Sequence, residues 1–173
     1  SRKVYMAQYG TKHGHAPGVL SAMLANLDVE VVGLFEPDLE RRRELEESGL
    51  SPWADVKWLD DKSYILEDDR IIAVSSEGSN LESLDHTEEI IEAGKHVFYD
   101  KPAGDDYARF KAIIDTARNR DLLVQLGYMF RYNDGFSKIA NWAKSGILGE
   151  LFAIRGHMST NITTDQQDAG STP

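Results

Sequence analysis

Three glycines spaced four residues apart follow the first apolar run of the sequence. Gly10, Gly14 and Gly18 lie in the segment YGTKHGHAPG, just before an amphipathic segment. A turn from a strand into a helix needs glycine where the backbone bends sharply or approaches a pyrophosphate, and the helix N-terminus attracts anions. Because the spacing differs from G-x-G-x-x-G, the loop is interpreted either as a dinucleotide-binding loop or as a plain turn.

Charged side chains inside this loop are further candidates for contact with a nucleotide. Lys12, His13 and His15 stand beside Gly10 and Gly14, and we predict that all five residues bind the cofactor. Lys12 takes the place where the second glycine of the motif often falls. The two histidines either face the phosphates or cap the helix.

An acidic residue ends the second buried run of the sequence. Glu36 directly follows Val29–Phe35. A carboxylate at this position hydrogen-bonds the ribose hydroxyls of NAD and repels the 2′-phosphate of NADP. We therefore predict NAD as the cofactor, with NADP as the alternative because an arginine of the run 41–43 could accept that phosphate. An exposed acidic turn residue is the other interpretation of Glu36.

A lysine follows a short predicted strand later in the chain. The segment GKHVFYDKP places Asp100 and Lys101 directly after His96–Tyr99, at the edge of the sheet where ligands bind in open α/β folds. Pro102 favours an extended backbone at Lys101, and a lysine held in this way could orient a substrate hydroxyl or carbonyl group. A surface lysine after a strand is the alternative.

The elements that must position these residues alternate short apolar runs with amphipathic segments. This alternation predicts an α/β fold, a doubly wound parallel sheet of the Rossmann type, over residues 1–127. The predicted strands are 4–7, 29–35, 56–59, 71–74, 96–99 and 122–126, the predicted helices include 39–48, 63–66 and 83–93, and 75–80 is predicted to be a loop.

The sequence changes character after Gly127. A helix with one apolar face is predicted to end near Gly146, and a strand is predicted at 151–154. Residues 128–173 are thus predicted to be a linker helix and the start of a second α+β domain, with a polar loop from 159 onward. The strand would have an unpaired edge, so we expect self-association into a homo-oligomer or, alternatively, disorder in the tail.

Three segments together resemble the Gfo/Idh/MocA family of oxidoreductases. AGKHVFYDKPAG is similar to the family motif A-G-K-H-V-x-x-E-K-P, and GYMFRYNDGFSKIANWAKSGILGEL is similar to its G-Y-x-x-R-F-x-P-x-F stretch with the helix and S-G-x-I/L-G-E that follow. VVGLFEPD resembles the second strand and ribose-binding turn of the family. The resemblance covers nearly all of residues 3–158. It implies an NAD(P)-dependent dehydrogenase that transfers hydride between nicotinamide and a hydroxyl or carbonyl carbon of a sugar, polyol or similar compound.

The resemblance also implies roles for single residues. Lys101 matches a lysine near the nicotinamide and the substrate, and it is the predicted catalytic residue. Asn80 matches an asparagine close to the cofactor, and Asp100 replaces the usual glutamate. Ser75 and Asp100 are included among the predicted cofactor-binding residues. His86 is the candidate substitute for a histidine that the sequence lacks at the matched position.

The second domain of the family supplies a catalytic histidine that this sequence does not match. His157 follows the predicted strand at 151–154 and does not correspond to it. We expect residues 128–173 to be a fragment of that domain, and we expect little or no turnover from the 173 residues alone. The alternatives are a non-catalytic nucleotide-binding module such as a redox sensor, and a partner-binding protein that keeps the fold without the ligand.

The composition argues against several other functions. A net charge of −10 disfavours binding to nucleic acid, and no apolar run approaches the roughly 18 residues of a membrane-spanning helix. The absence of cysteine excludes disulfides, thiolate metal sites and a cysteine nucleophile. No metal ligands are predicted. Because the absence of cysteine fits a reducing compartment, we predict a cytoplasmic location.

Overall fold

The structure of the protein is a computed structural model that describes residues 3–159, and the chain divides into two compact units, 1–127 and 128–173. The first unit contains β1 (Val4–Tyr9), α1 (Ala16–Ala25), β2 (Val29–Phe35), α2 (Leu39–Ser48), a short 3₁₀ turn (Trp53–Asp55), α3 (Ser63–Leu66), β3 (Ile71–Ser76), α4 (Ser83–Glu92), β4 (His96–Tyr99), α5 (Tyr107–Asn119) and β5 (Val124–Leu126). The second unit contains a 3₁₀ turn (Met129–Tyr132) and α6 (Asp134–Ser145). Among the helices of the described residues, none is both long and apolar enough to cross a membrane.

The sheet of the first unit has five parallel strands in the order β2-β1-β3-β4-β5. The chain adds β2 on one side of β1, and it adds β3, β4 and β5 on the other side. The strand order therefore reverses between β1 and β3, and in open α/β sheets the carboxyl ends of the strands at such a reversal form the ligand-binding crevice. The predicted doubly wound fold of the Rossmann type is confirmed.

Two clusters of buried apolar side chains stabilise this unit. Leu20 of α1 packs with Leu34 of β2 and with Trp53 in the first cluster, whereas Val74 of β3 and Ile90 of α4 belong to the second. Burying a side chain such as Leu20, which has no exposed surface, contributes about 1.5–3 kcal/mol. This packing fixes the positions of the strand ends relative to one another.

The predicted strand at 56–59 is wrong as a regular strand. Only one bridge pairs this segment with the sheet, from Leu34 to Trp58. The backbone of Leu34 accepts a hydrogen bond from Leu59 and donates one to Lys57, at 2.8 and 2.9 Å. The Leu59 side chain lies over Gly33, where a Cβ atom would be only 2.7 Å from its Cγ. The segment therefore lies parallel to β2 at this one bridge and does not continue as a strand.

Other element bounds also differ from the sequence predictions. β3 extends into the predicted loop 75–80, because Ser75 and Ser76 pair through their backbones with the neighbouring strands whatever their side chains. The strand predicted at 122–126 is β5, which begins only at Val124. Residues 151–154 do not form a strand. An unpaired strand edge at this segment therefore no longer supports a homo-oligomer, which stays a prediction. The predicted loop 159–173 lies outside the described residues except for Ser159.

Candidate functional site

The loops that follow β1 and β3 touch where the strand order reverses. The backbone N–H of His13 donates to the carbonyl oxygen of Glu77 at 3.0 Å. Gly10 has φ +90°, and a Cβ atom there would lie 2.7 Å from the backbone nitrogen of Gly78. Because an L side chain would collide with that backbone, Gly10 is needed for the close approach of the two loops.

Gly14 occupies a different environment on the same loop. A Cβ atom at Gly14 would meet no described heavy atom within 4 Å. Two residues further on, α1 begins with Pro17 in its first turn. The side chain of its N-cap residue, His15, makes no capping hydrogen bond, and its first turn contains no acidic residue. The positive end of this helix therefore has room for an anion.

The acidic residue at the end of β2 is buried and engaged. Glu36 is 1% exposed; its Oε2 accepts a hydrogen bond from the Thr11 hydroxyl at 2.7 Å, and its Oε1 accepts one from the backbone N–H of Asp38 at 2.9 Å. Arg41 in turn donates to Oγ1 and to the carbonyl oxygen of Thr11, at 2.7 and 2.9 Å. A ribose hydroxyl would reach Glu36 only after Thr11 moved. The sequence analysis did not anticipate the Glu36–Thr11–Arg41 network.

Lys12 connects this network to the loop after β3. Its ammonium group lies 3.0 Å from Glu82 Oε1 and 3.2 Å from Asp38 Oδ2. The hydrogen bond that Lys12 donates to Glu82 is the main reason that the pKa of Lys12 is raised. Lys12 therefore ties the end of β2 to the residues before α4, and its charge is already compensated within the protein.

The two histidines of the loop converge on Asp100. Both His13 Nδ1 and His15 Nδ1 approach Asp100 Oδ2, at 3.5 and 3.1 Å. His13 Nε2–H donates to the carbonyl oxygen of Lys101 at 3.2 Å, and His13 Nδ1 accepts from the backbone N–H of His15 at 3.1 Å. These two bonds require a neutral ring with its proton on Nε2. Burial, which lowers the pKa of His13, favours that form.

Glu77 lies next to this cluster and was missed by the sequence analysis. It is fully buried, and burial raises its pKa to about 8. Its Oε1 accepts a hydrogen bond from the Ser75 hydroxyl at 2.8 Å. Its Oε2 has no hydrogen-bond partner among the described atoms and lies 3.8 Å from His13 Nδ1. The same signal that identified Glu36, an acid directly after a buried strand, could have identified Glu77.

The remaining predicted residues lie on the same strand ends and loops. The hydroxyl of Ser75 donates to Glu77, and the carbonyl oxygen of Asn80 accepts a hydrogen bond from Ser83 Oγ at 3.0 Å. Lys101 is exposed. His86 is buried; its ring stacks on Tyr9 at 4.2 Å between centroids, and burial lowers its pKa. The structure thus brings His13, His15, Asp100 and the Lys101 backbone together. Glu36 and Lys12 are engaged by other residues outside this cluster.

Two curated proteins are similar to this chain in sequence. An uncharacterized oxidoreductase of Rhizobium meliloti is 29% identical over 152 residues, which cover 85% of this chain and 42% of that protein. Inositol 2-dehydrogenase of Salmonella typhimurium is 27% identical over 103 residues, covering 59% of this chain and 31% of the enzyme. The chain therefore spans less than half the length of these curated relatives.

A solved structure supports the fold. The crystal structure of a 3-ketoreductase from Actinomadura kijaniata, in complex with NADP and TDP-benzene, aligns with a TM-score of 0.69 at 22% identity. The alignment covers 86% of this chain and 44% of that one. The sequence model of the Gfo/Idh/MocA oxidoreductase family, NAD-binding Rossmann fold, matches residues 7–128. The resemblance inferred from the motifs is thereby confirmed, and the chain belongs to the Gfo/Idh/MocA family of oxidoreductases.

Proposed function

We propose that the chain is the nucleotide-binding part of an NAD(P)-dependent oxidoreductase. The observation that carries this proposal is the open space at Gly14 beside the uncapped N-terminus of α1. A pyrophosphate bound there would meet backbone N–H groups and the positive end of the helix dipole. The position at the reversal of strand order is the one at which Rossmann folds bind dinucleotides.

Each predicted residue has a proposed role that fits its contacts. Gly10 holds the two loops together, and Gly14 leaves room for the phosphates. Lys12, His13, His15, Ser75, Asn80 and Asp100 form or support the walls of the nucleotide site. Lys101, which is exposed beside Asp100, is the proposed catalytic residue and orients the substrate oxygen. The nicotinamide, when bound, supplies the hydride chemistry, and the protein supplies position and electrostatics.

The contacts around Glu36 support NAD in preference to NADP. A 2′-phosphate would lie near the carboxylates of Glu36 and Asp38, and these would repel it. Arg41 already donates to Thr11, and Arg42 donates to the carbonyl oxygen of Leu59 at 3.1 Å. These arginines would have to give up existing hydrogen bonds to bind the phosphate. The Actinomadura relative binds NADP, so both nucleotides need to be tested.

The proposed substrate is a sugar, a polyol or a similar hydroxylated compound. The support is the named activity of two relatives, an inositol 2-dehydrogenase and a 3-ketoreductase. We propose that residues 128–173 are the linker helix and the start of the substrate domain. A cytoplasmic location and a homo-oligomer remain predictions.

The test is a calorimetric titration of the full chain with NADH and, separately, with NADPH. We expect saturable binding of NADH and at least tenfold weaker binding of NADPH. Gly14→Val should weaken NADH binding at least tenfold, because the new side chain would fill the space proposed for the phosphates. Gly156→Val is the matched control, since its Cβ would also meet no described atom within 4 Å and the residue belongs to the second unit. Failure of both nucleotides to bind would refute the proposal.

A further inference from the structure

Three side chains that can bind a metal ion converge at the carboxyl ends of β1 and β4. They come from the loop after β1 (His13 and His15) and from the residue after β4 (Asp100). We propose that they form a site for a divalent transition-metal ion of the Zn²⁺ type, with the buried carboxyl group of Glu77 beside it. No metal ligands were predicted from the sequence, because the three residues belong to no contiguous motif.

The distances between the candidate ligand atoms suit one ion. One ligand atom each of His13, His15 and Asp100 lies within 4.8 Å of the others. Asp100 Oδ2 is 3.1 Å from His15 Nδ1 and 3.5 Å from His13 Nδ1. Zinc–nitrogen and zinc–oxygen bonds of about 2.1 Å in a tetrahedron put neighbouring ligand atoms roughly 3.4 Å apart. A single ion would therefore need only small side-chain movements.

The unpartnered oxygen of Glu77 lies beside the three ligand atoms and would contact the ion through a water molecule in the fourth coordination position. This carboxylate is fully buried, and its Oε2 lies 3.8 Å from His13 Nδ1 without a hydrogen bond from any described atom. A buried polar atom without a partner is unfavourable, and a bound ion would satisfy it. The oxygen thus points to a ligand independently of the histidines.

The ring of His13 is oriented as in known metal sites. Its Nε2–H donates to the carbonyl oxygen of Lys101 at 3.2 Å, which leaves the lone pair on Nδ1, where it now accepts the backbone N–H of His15. Histidines that bind metals usually donate their other ring N–H to a backbone carbonyl or a carboxylate, because that bond fixes the tautomer and the ring orientation. The ion would displace the backbone N–H of His15 from Nδ1, and Gly14 between the two histidines allows this change.

The charges of the cluster and the ligand types indicate which ion fits. The positive end of α1 opposes a cation, whereas the carboxylate of Asp100 attracts one. A bound cation would in turn favour the charged form of Glu77. Imidazole nitrogen favours zinc and similar transition metals, whereas Mg²⁺ and Ca²⁺ prefer sites made of oxygen ligands. The site should therefore select Zn²⁺ over Mg²⁺.

The experiment is a calorimetric titration of the full chain, freed of metal with a chelator, with ZnCl₂ and separately with MgCl₂. We expect one Zn²⁺ per chain and at least tenfold weaker binding of Mg²⁺. His15→Ala and Asp100→Asn should each weaken Zn²⁺ binding at least tenfold, and Glu77→Gln should weaken it by a smaller factor. His157→Ala is the control, since this exposed histidine lies outside the cluster, and its affinity should equal that of the wild type. Circular dichroism verifies that each variant is folded.

A second readout uses Co²⁺ in place of Zn²⁺. Visible absorption bands of ligated Co²⁺ should appear with the wild type and disappear with His15→Ala. Absence of a one-to-one Zn²⁺ complex, or an equal loss of affinity in His157→Ala, would overturn the proposal. NADH binding without Zn²⁺ binding would refute only the metal site, and Zn²⁺ binding without nucleotide binding would refute only the proposed oxidoreductase function.

Discussion

Of the two glycines in the loop after β1, replacement by alanine should destabilise the fold at Gly10 and have little effect at Gly14. In Gly10→Ala, the new Cβ atom would lie 2.7 and 2.9 Å from the nitrogen and Cα of Gly78, and 3.0 Å from the carbonyl carbon of Glu77. All three atoms belong to the backbone, so no side-chain rotation relieves the clash. In Gly14→Ala, the new Cβ atom would meet no described atom within 4 Å.

The magnitude follows from two separate effects. Holding alanine in a left-handed conformation, here at φ +90°, costs about 1–2 kcal/mol. Forcing extra volume into close-packed atoms costs about 1–3 kcal/mol more. Gly10→Ala should therefore lower the free energy of unfolding by about 2–5 kcal/mol, which is a large part of the roughly 5–15 kcal/mol of a typical domain. Gly14→Ala should change it by no more than about 0.5 kcal/mol.

The assay is urea denaturation followed by circular dichroism at constant pH and salt. With a slope of about 2 kcal/mol per molar urea, the midpoint of Gly10→Ala should fall by about 1–2.5 M. The midpoint of Gly14→Ala should stay within about 0.3 M of the wild type. Equal midpoints for the two variants would refute the argument that loop contact, rather than ligand approach, requires Gly10.

Substitutions at three further positions address other features of the first unit. Burial lowers the pKa of His86, so the unfolded chain binds a proton at a higher pH than the folded chain, and the unfolding free energy should decline as the pH falls below about 6.5. In denaturation curves measured between about pH 7.5 and 5, His86→Phe should show less of this decline. An unchanged dependence on pH would contradict the assignment to His86. Glu36→Ala should destabilise the fold by about 2–4 kcal/mol in urea, because it leaves the Thr11 hydroxyl and the Asp38 N–H without their acceptor, whereas Glu36→Gln should lose less. Gly127→Ala would place a Cβ atom 2.4 Å from Asp100 Oδ1; calorimetry should show weaker Zn²⁺ binding, and an unaltered affinity would count against Asp100 as a ligand.

The regular elements of the fold were predictable because their signals are local. The β-branched run of β2 gives its bounds as Val29–Phe35, and Asp38 and Gly49 mark the two ends of α2. Asp38 accepts a hydrogen bond from the backbone N–H of Arg41, and Gly49 takes a left-handed φ of 61°. Such capping depends only on neighbouring residues.

The segment around Trp58 was mispredicted because its conformation depends on distant residues. Its apolar residues resemble those of a strand, yet what holds it is one bridge to Leu34 and the packing of Leu59 over Gly33. The segment at 151–154 has apolar residues of the same kind without pairing to a strand in the described part of the chain. Composition predicts a tendency to extend, but a strand also needs a partner.

The strand ends that carry the candidate site residues were predictable, but the contacts between these residues were not. The loop after β1, Glu36 and Lys101 were identified because each lies at the end of a predicted strand. The approach of His13 to Lys101 spans 88 residues of sequence, and the bond between Thr11 and Glu36 spans 25. These contacts depend on how the strands are ordered in the sheet, and one sequence does not provide that order.

The Glu36–Thr11–Arg41 network has a consequence for how nucleotide preference could change during evolution. Because Thr11 donates to Glu36 and accepts from Arg41, a mutation at any one position changes the effect of mutations at the other two. Replacing Glu36 alone by a neutral residue would remove the acceptor of the Thr11 hydroxyl, while Arg41 would still donate to Thr11 and would not be free to bind a phosphate. The three positions should therefore show epistasis, and related sequences should exchange them as a set.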